Sequence, residues 1–85
     1  MNVTPPNWLT QRGGALRRAP DTRSWVVQID EKPQYLLTVV PARGHHACQV
    51  LETINGRRLD NDQTSPSPEQ ALAAGLESIR ESLGW

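Results

Sequence analysis

Residues 66–85 constrain the fold more than any other stretch, because they spell out a helix from its first capping residue to its last. Ser67 precedes Pro68-Glu69-Gln70-Ala71-Leu72, an arrangement in which the serine hydroxyl accepts from an early helix N–H and the Gln70 side chain reaches back, as in a capping box. Proline fits the first helical position, whose N–H has no intrahelical partner in any case. Leu72, Leu76, Ile79 and Leu83 recur on one stripe, whereas Glu69, Gln70, Ala73, Glu77 and Glu81 lie away from it. The helix predicted over 68–83 must therefore bury one side on another layer and turn an acidic side to water. Gly75, beside the stripe, costs about 1 kcal/mol in helix propensity against alanine, a loss offset if the helix approaches its neighbour closely there. Gly84 suits the left-handed residue that ends a helix, and Trp85 is placed to fold back on Ile79 in a Schellman motif.

The layer beneath that helix is written upstream in a two-residue period. Over 24–30, Trp25, Val27 and Ile29 alternate with Ser24, Gln28 and Asp30, which predicts a half-buried strand. Asp30-Glu31-Lys32-Pro33 makes a turn, and 34–40 forms a second strand rich in β-branched and aromatic residues. Its apolar density (Leu36, Leu37, Val39, Val40) predicts a central position with apolar groups on both faces. One helix does not cover all of that, so a partner or the N-terminal arm must shield the remainder. A loop over 41–46 leads to a third strand over 47–54. Asn55-Gly56 is a type I′ hairpin signal that predicts a short fourth strand over 57–59. Ala15-Leu16-Arg17-Arg18 reads as a further short strand, closed by the turn signal Pro20-Asp21. Residues 1–14, with Pro5, Pro6 and Gly13-Gly14, form an arm whose order the sequence leaves open, with Trp8 and Leu9 as its anchor.

The expected fold is thus α+β: a three- to five-stranded antiparallel β-meander packed on one face by a single C-terminal α-helix, all within one small domain over 15–85. At 85 residues, folding buries only about 60–65% of the unfolded surface, so the core must be economical. Three strands followed by a helix that opens on Ser67-Pro68-Glu69-Gln70-Ala71-Leu72 resembles the general shape of HicB-type antitoxins and double-stranded-RNA-binding-like folds. That likeness lies in the order of elements and the helix start; it implies fold and carries over no site.

Composition bounds the function classes. With 36% hydrophobic and 21% charged residues the chain is globular rather than disordered, and no stretch approaches the roughly 18 apolar residues of a membrane span. The start, Met1-Asn2-Val3-Thr4-Pro5-Pro6, lacks a signal-peptide pattern, so the expectation is a cytoplasmic protein without a membrane partner. Cys48 is the only cysteine, which excludes an intrachain disulfide.

Candidate chemistry is sparse. His45-His46-Ala47-Cys48 places three soft-metal ligands together, yet a closed zinc site needs four ligands in spaced pairs and no other His or Cys exists. Cys48 reads as a small buried strand residue, and the histidines as polar turn residues. Asp30-Glu31 and the pair Asp60 and Asp62 fall in turns or loops, where carboxylates cap and solvate. Gly13-Gly14 and Asn55-Gly56 lack the strand-to-helix setting of a phosphate loop. The expectation is a non-enzymatic domain with no catalytic residue, no metal and no cofactor.

The arginines give the reading with most content. Nine basic and nine acidic residues cancel, but 1–23 carries four basic against one acidic, whereas 59–85 carries one basic against five acidic. Charge is divided between the front and the back of the chain. Arg17 and Arg18 with Arg57 and Arg58 are candidate nucleic-acid contacts if they gather on the sheet side away from the acidic helix, with Trp8 or Tyr35 as a stacking platform. Equally, such charges guard sheet edges against aggregation. The zero net charge favours the competing expectation, a protein-interaction module that presents a sheet face or edge to a protein partner or to a second copy.

Overall fold

The computed structural model describes residues 3–21, 23–59 and 63–85. In chain order the elements are helix α1 (Asn7–Thr10), strands β1 (Gly14–Arg18), β2 (Ser24–Ile29), β3 (Lys32–Ala42) and β4 (His45–Glu52), and helix α2 (Pro68–Leu83). The strands form one antiparallel sheet in the order β1-β2-β3-β4, with α2 packed against it. The fold is the α+β meander with a C-terminal helix that the residue periods predict.

Two tight turns set the register. Asp30 and Glu31 (φ 53° and 65°) join β2 to β3, and Arg43 and Gly44 (φ 51° and 80°) join β3 to β4. In both, two successive residues have positive φ, as a type I′ turn requires. The loop expected over 41–46 is therefore only a two-residue connection, and both flanking strands run through most of it. A register shift between Val27 and Gln28 interrupts the β2–β3 pairing.

The strand expected over 57–59 is a correction. Only Gly56 of the Asn55-Gly56 pair takes positive φ (72°), and the chain returns to β4 through the isolated bridges Leu51↔Arg58 and His46↔Ser65. Thr53 explains the difference. Its N–H donates to the Gln34 carbonyl (3.0 Å) and its hydroxyl to the Pro33 carbonyl (2.8 Å), which ties residue 53 to β3 and pushes the reversal outward. The wider loop closes with the Gly56 N–H on the Glu52 carbonyl at 2.9 Å.

The core lies between the sheet and its two helices. Trp25 and Val27 from β2, Tyr35, Leu37 and Val39 from β3, and Cys48 and Val50 from β4 alternate onto one face. Ala71, Leu72, Leu76 and Ile79 of α2 meet them, and Leu9 of α1 belongs to the same cluster. Ser67 accepts from the Gln70 N–H (3.3 Å) at the start of α2. At its end Gly84 is left-handed (φ 74°), with the Trp85 N–H on the Arg80 carbonyl and the Gly84 N–H on the Glu81 carbonyl, the two bonds of a Schellman motif. Gly75 lies directly over β4: a Cβ there would collide with Cys48 Sγ and stand 3.1 Å from Leu37 Cδ2.

The N-terminal segment is part of this cover. Leu9 is fully buried, and a Cβ on Gly14 would overlap its side chain, so the glycine lets α1 sit down on β1. Where the sequence suggested Ile79 as the partner of Trp85, the indole instead meets Trp8 edge-on at 6.0 Å between ring centres, and Arg12 lies 4.8 Å over it.

Candidate functional site

The face of the sheet opposite α1 and α2 has no element over it among the described residues. Alternation delivers Val26 of β2, Leu36 and Val40 of β3, and Leu51 of β4 to that face, all half-buried. The pairings Arg17↔Val26, Val26↔Leu36, Leu36↔Leu51 and Leu51↔Arg58 form one continuous lateral row. Strands about 4.8 Å apart make that row roughly 19 Å long. It is apolar in the middle and ends in arginine on both sides. Next to it, Leu36, Leu51 and Arg58 with Thr38 and Gln49 enclose a concavity of about 110 Å³.

The four candidate arginines divide by strand period. Arg17 stands on the helix-free face, its Nε donating to Gln28 Oε1 at 3.0 Å. Arg18, its neighbour, turns to the other side, with its guanidinium 5.9 Å from the centre of the Trp25 ring. Arg57 pairs with Glu52 at 2.9 Å at the end of β4. Arg58 shares the helix-free face with Leu51. Arg17 and Arg58 thus stand at opposite ends of one row, and Arg18 and Arg57 lie off it.

The aromatic residues proposed beside them are elsewhere. Trp25 and Tyr35 retain only 3% and 7% exposure in the core under the helices. Burial, then the neighbouring Glu52 carboxylate, raises the Tyr35 phenol above its ordinary 10.0. Trp8 is packed against Trp85 on the helix side.

One end of the face is fixed by a hydroxyl and carboxylate network. Asp21 Oδ1 accepts from the backbone N–H of Arg23 (3.0 Å) and of Ser24 (2.9 Å), and Oδ2 accepts from the Ser24 hydroxyl at 2.8 Å. Ser24 Oγ lies 3.0 Å from Thr38 Oγ1 on β3. These bonds, the Ser24 hydroxyl first and then the Arg23 N–H, lower the Asp21 carboxyl below its ordinary value.

His45 and His46 flank opposite faces, as successive strand residues do, and Cys48 is buried beneath Gly75. No group of three His, Cys, Asp or Glu is arranged to hold a metal among the described residues. The pair Asp60 and Asp62 lies outside the described residues. Asp30 and Glu31 form a tight turn. A second depression, about 300 Å³, opens at the sheet end between Trp25, Val39, Pro41 and Pro68, with Arg23 and His46 at its rim.

The outer edges differ. β4 is closed by the returning chain, with the Glu52 N–H on the Arg57 carbonyl and the Leu59 N–H on the Val50 carbonyl. β1 has a strand partner on its β2 side alone among the described residues, and it is five residues long with two arginines. Short, charged strands of this kind resist edge pairing. The sequence pointed to Leu36 and Val40 as surplus apolar groups but not to Val26, Leu51 or Ile54. Ile54, at the loop beyond β4, is 79% exposed and is the one large apolar residue so exposed among the described residues. Its signal was an isoleucine immediately before a turn dipeptide. No known protein family, curated protein or solved structure matches this chain. No helix of the described residues is long and apolar enough to cross a membrane.

Proposed function

We propose that this domain is a binding module without catalytic chemistry, and that it docks a protein partner on the helix-free face of its sheet. The observation that carries this reading is the strip Val26, Leu36, Val40 and Leu51 on a face that neither helix covers, with Ile54 exposed on the loop beyond it. Apolar groups left outside a small core are the usual footprint of association. The face supports this use better than the edge, because β4 is closed by the returning chain and β1 is short and basic.

Nucleic-acid binding is the second reading, and Arg17 and Arg58 on one face favour it. It has less support, since no tryptophan or tyrosine stands beside them to stack on a base.

The test is retention of a protein from the native lysate on the immobilised domain. We expect Ile54→Asp and Leu36→Glu to abolish retention, and Glu77→Gln on the far side of α2 to preserve it. Ile54 is so exposed that its substitution leaves the fold intact, which circular dichroism checks. Retention indifferent to both substitutions would defeat the proposal. Salt-sensitive oligonucleotide binding lost in Arg17→Ala with Arg58→Ala would replace it with the second reading.

A further inference from the structure

We infer that Asn55 is a modification site, at which spontaneous deamidation to aspartate and isoaspartate is held back by Glu52 and, once complete, frees the loop beyond β4. This site is separate from the docking surface proposed above.

The chemistry begins with the dipeptide. In deamidation the backbone nitrogen of the following residue attacks the asparagine Cγ: a new N–C bond forms, that nitrogen gives its proton to solvent, and the side-chain nitrogen leaves as ammonia. Water then opens the cyclic imide at either of its carbonyls, which yields aspartate or isoaspartate. A side chain on the following residue obstructs the attack. Of the four asparagines in the chain only Asn55 precedes a glycine, the others being followed by Val3, Trp8 and Asp62. Asn55 and Gly56 are both exposed, and a Cβ on Gly56 would meet nothing within 4 Å among the described residues. The loop itself calls for glycine at 56, whose φ of 72° an L side chain resists, so the fold retains the labile pair.

The bonds of this loop divide for and against the reaction. Asn55 Oδ1 accepts from the Arg57 N–H at 2.9 Å, and a donor there stabilises the oxyanion that attack creates. Two bonds to Glu52 oppose it. Asn55 Nδ2 donates to Glu52 Oε2 at 2.8 Å, which fixes the amide plane. The Gly56 N–H donates to the Glu52 carbonyl at 2.9 Å, which keeps the proton on the attacking nitrogen. Glu52 is anchored in turn, with its N–H on the Arg57 carbonyl (2.8 Å) and its Oε1 at the Arg57 guanidinium (2.9 Å). One residue thus restrains both the nucleophile and the leaving group.

The product cannot keep these bonds. An aspartate at 55 sets an acceptor where Nδ2 donated, and two carboxylates at hydrogen-bonding distance repel. Isoaspartate lengthens the main chain between 55 and 56 by one carbon, so the bond to the Arg57 N–H is lost as well. The segment released carries Ile54, 79% exposed.

The full chain, incubated at neutral pH both natively and in urea, tests this by peptide mapping that resolves aspartate from isoaspartate. We expect conversion to be fastest at Asn55, slower in the native chain than in urea, and accelerated roughly threefold or more in native Glu52→Ala. Circular dichroism checks that this variant folds, and Asn55→Asp, at an exposed position, supplies one product directly. In Asn55→Asp the Gly56 and Arg57 amides should exchange hydrogen faster than in the wild type, while those of Leu37 and Val50 stay protected. Native conversion as fast as in urea, a native rate indifferent to Glu52→Ala, or no conversion in either state overturns the inference. Unchanged exchange at Gly56 and Arg57 in Asn55→Asp overturns it too.

Discussion

At Gly75 two properties of one residue oppose each other, and packing decides. Alanine would gain about 1 kcal/mol of helix propensity. Its methyl, however, would enter space held by Cys48 Sγ and press on Leu37. Overpacking of this kind costs about 1–3 kcal/mol, so Gly75→Ala should lower stability in urea denaturation despite the better helix former. Adding Cys48→Ala removes the main obstacle, and the double variant should lose less than the sum of the two single losses. Asp21 gives a prediction in pH. Its carboxyl is held below 3.8 by bonds that exist only in the folded chain, so its contribution is complete above that value and disappears as the pH falls through the lowered one. The stability gap between the wild type and Asp21→Asn should stay constant near neutrality and close below pH 3.8 in acid denaturation. Gly75 was legible in the sequence, since a helix former was absent where the stripe needed close approach. The contact between Ser24 and Thr38 was not, because it depends on the turn between their strands together with the register shift between Val27 and Gln28.

Among the elements, the strongest hairpin dipeptide is the one that does not make a type I′ turn. Asn55-Gly56 is displaced by the hold of β3 on Thr53, while Asp30-Glu31 and Arg43-Gly44 adopt the geometry with far weaker local preference. The pairing of long strands on either side evidently outweighs turn propensity. Glu31 (φ 65°) then carries a left-handed backbone that an L side chain resists, so Glu31→Gly should raise stability by about 0.5–1 kcal/mol, measured by the urea midpoint. The candidate site was partly readable on the same grounds. Adjacent arginines in a strand must separate to opposite faces, as Arg17 and Arg18 do. Which arginine aligns with which leucine was hidden, because Trp25-Val26-Val27 and Val50-Leu51 are apolar without interruption and leave the buried parity open.

Across the whole molecule, one face of the sheet carries two helices and the other carries none among the described residues. The cover from α1 was illegible, since a single helical turn after two prolines has no period to read; only Trp8 and Leu9 marked it. Leu9 is fully buried against Gly14, so Leu9→Ala should cost about 2–5 kcal/mol in denaturant unfolding, as large-to-small core changes do. Trp85→Ala, which removes a half-buried ring from Trp8 and Arg12, should cost less while erasing much of the near-ultraviolet dichroism. The meeting of Trp8 with Trp85 also brings two residues far apart in the sequence to one corner. A circular permutant that joins the two ends of this chain through a glycine-rich spacer and opens at Gly56 would make the contact between Trp8 and Trp85 a more local one. Loop closure would then cost less entropy before that contact forms, and stopped-flow refolding should be faster for the permutant than for the parent.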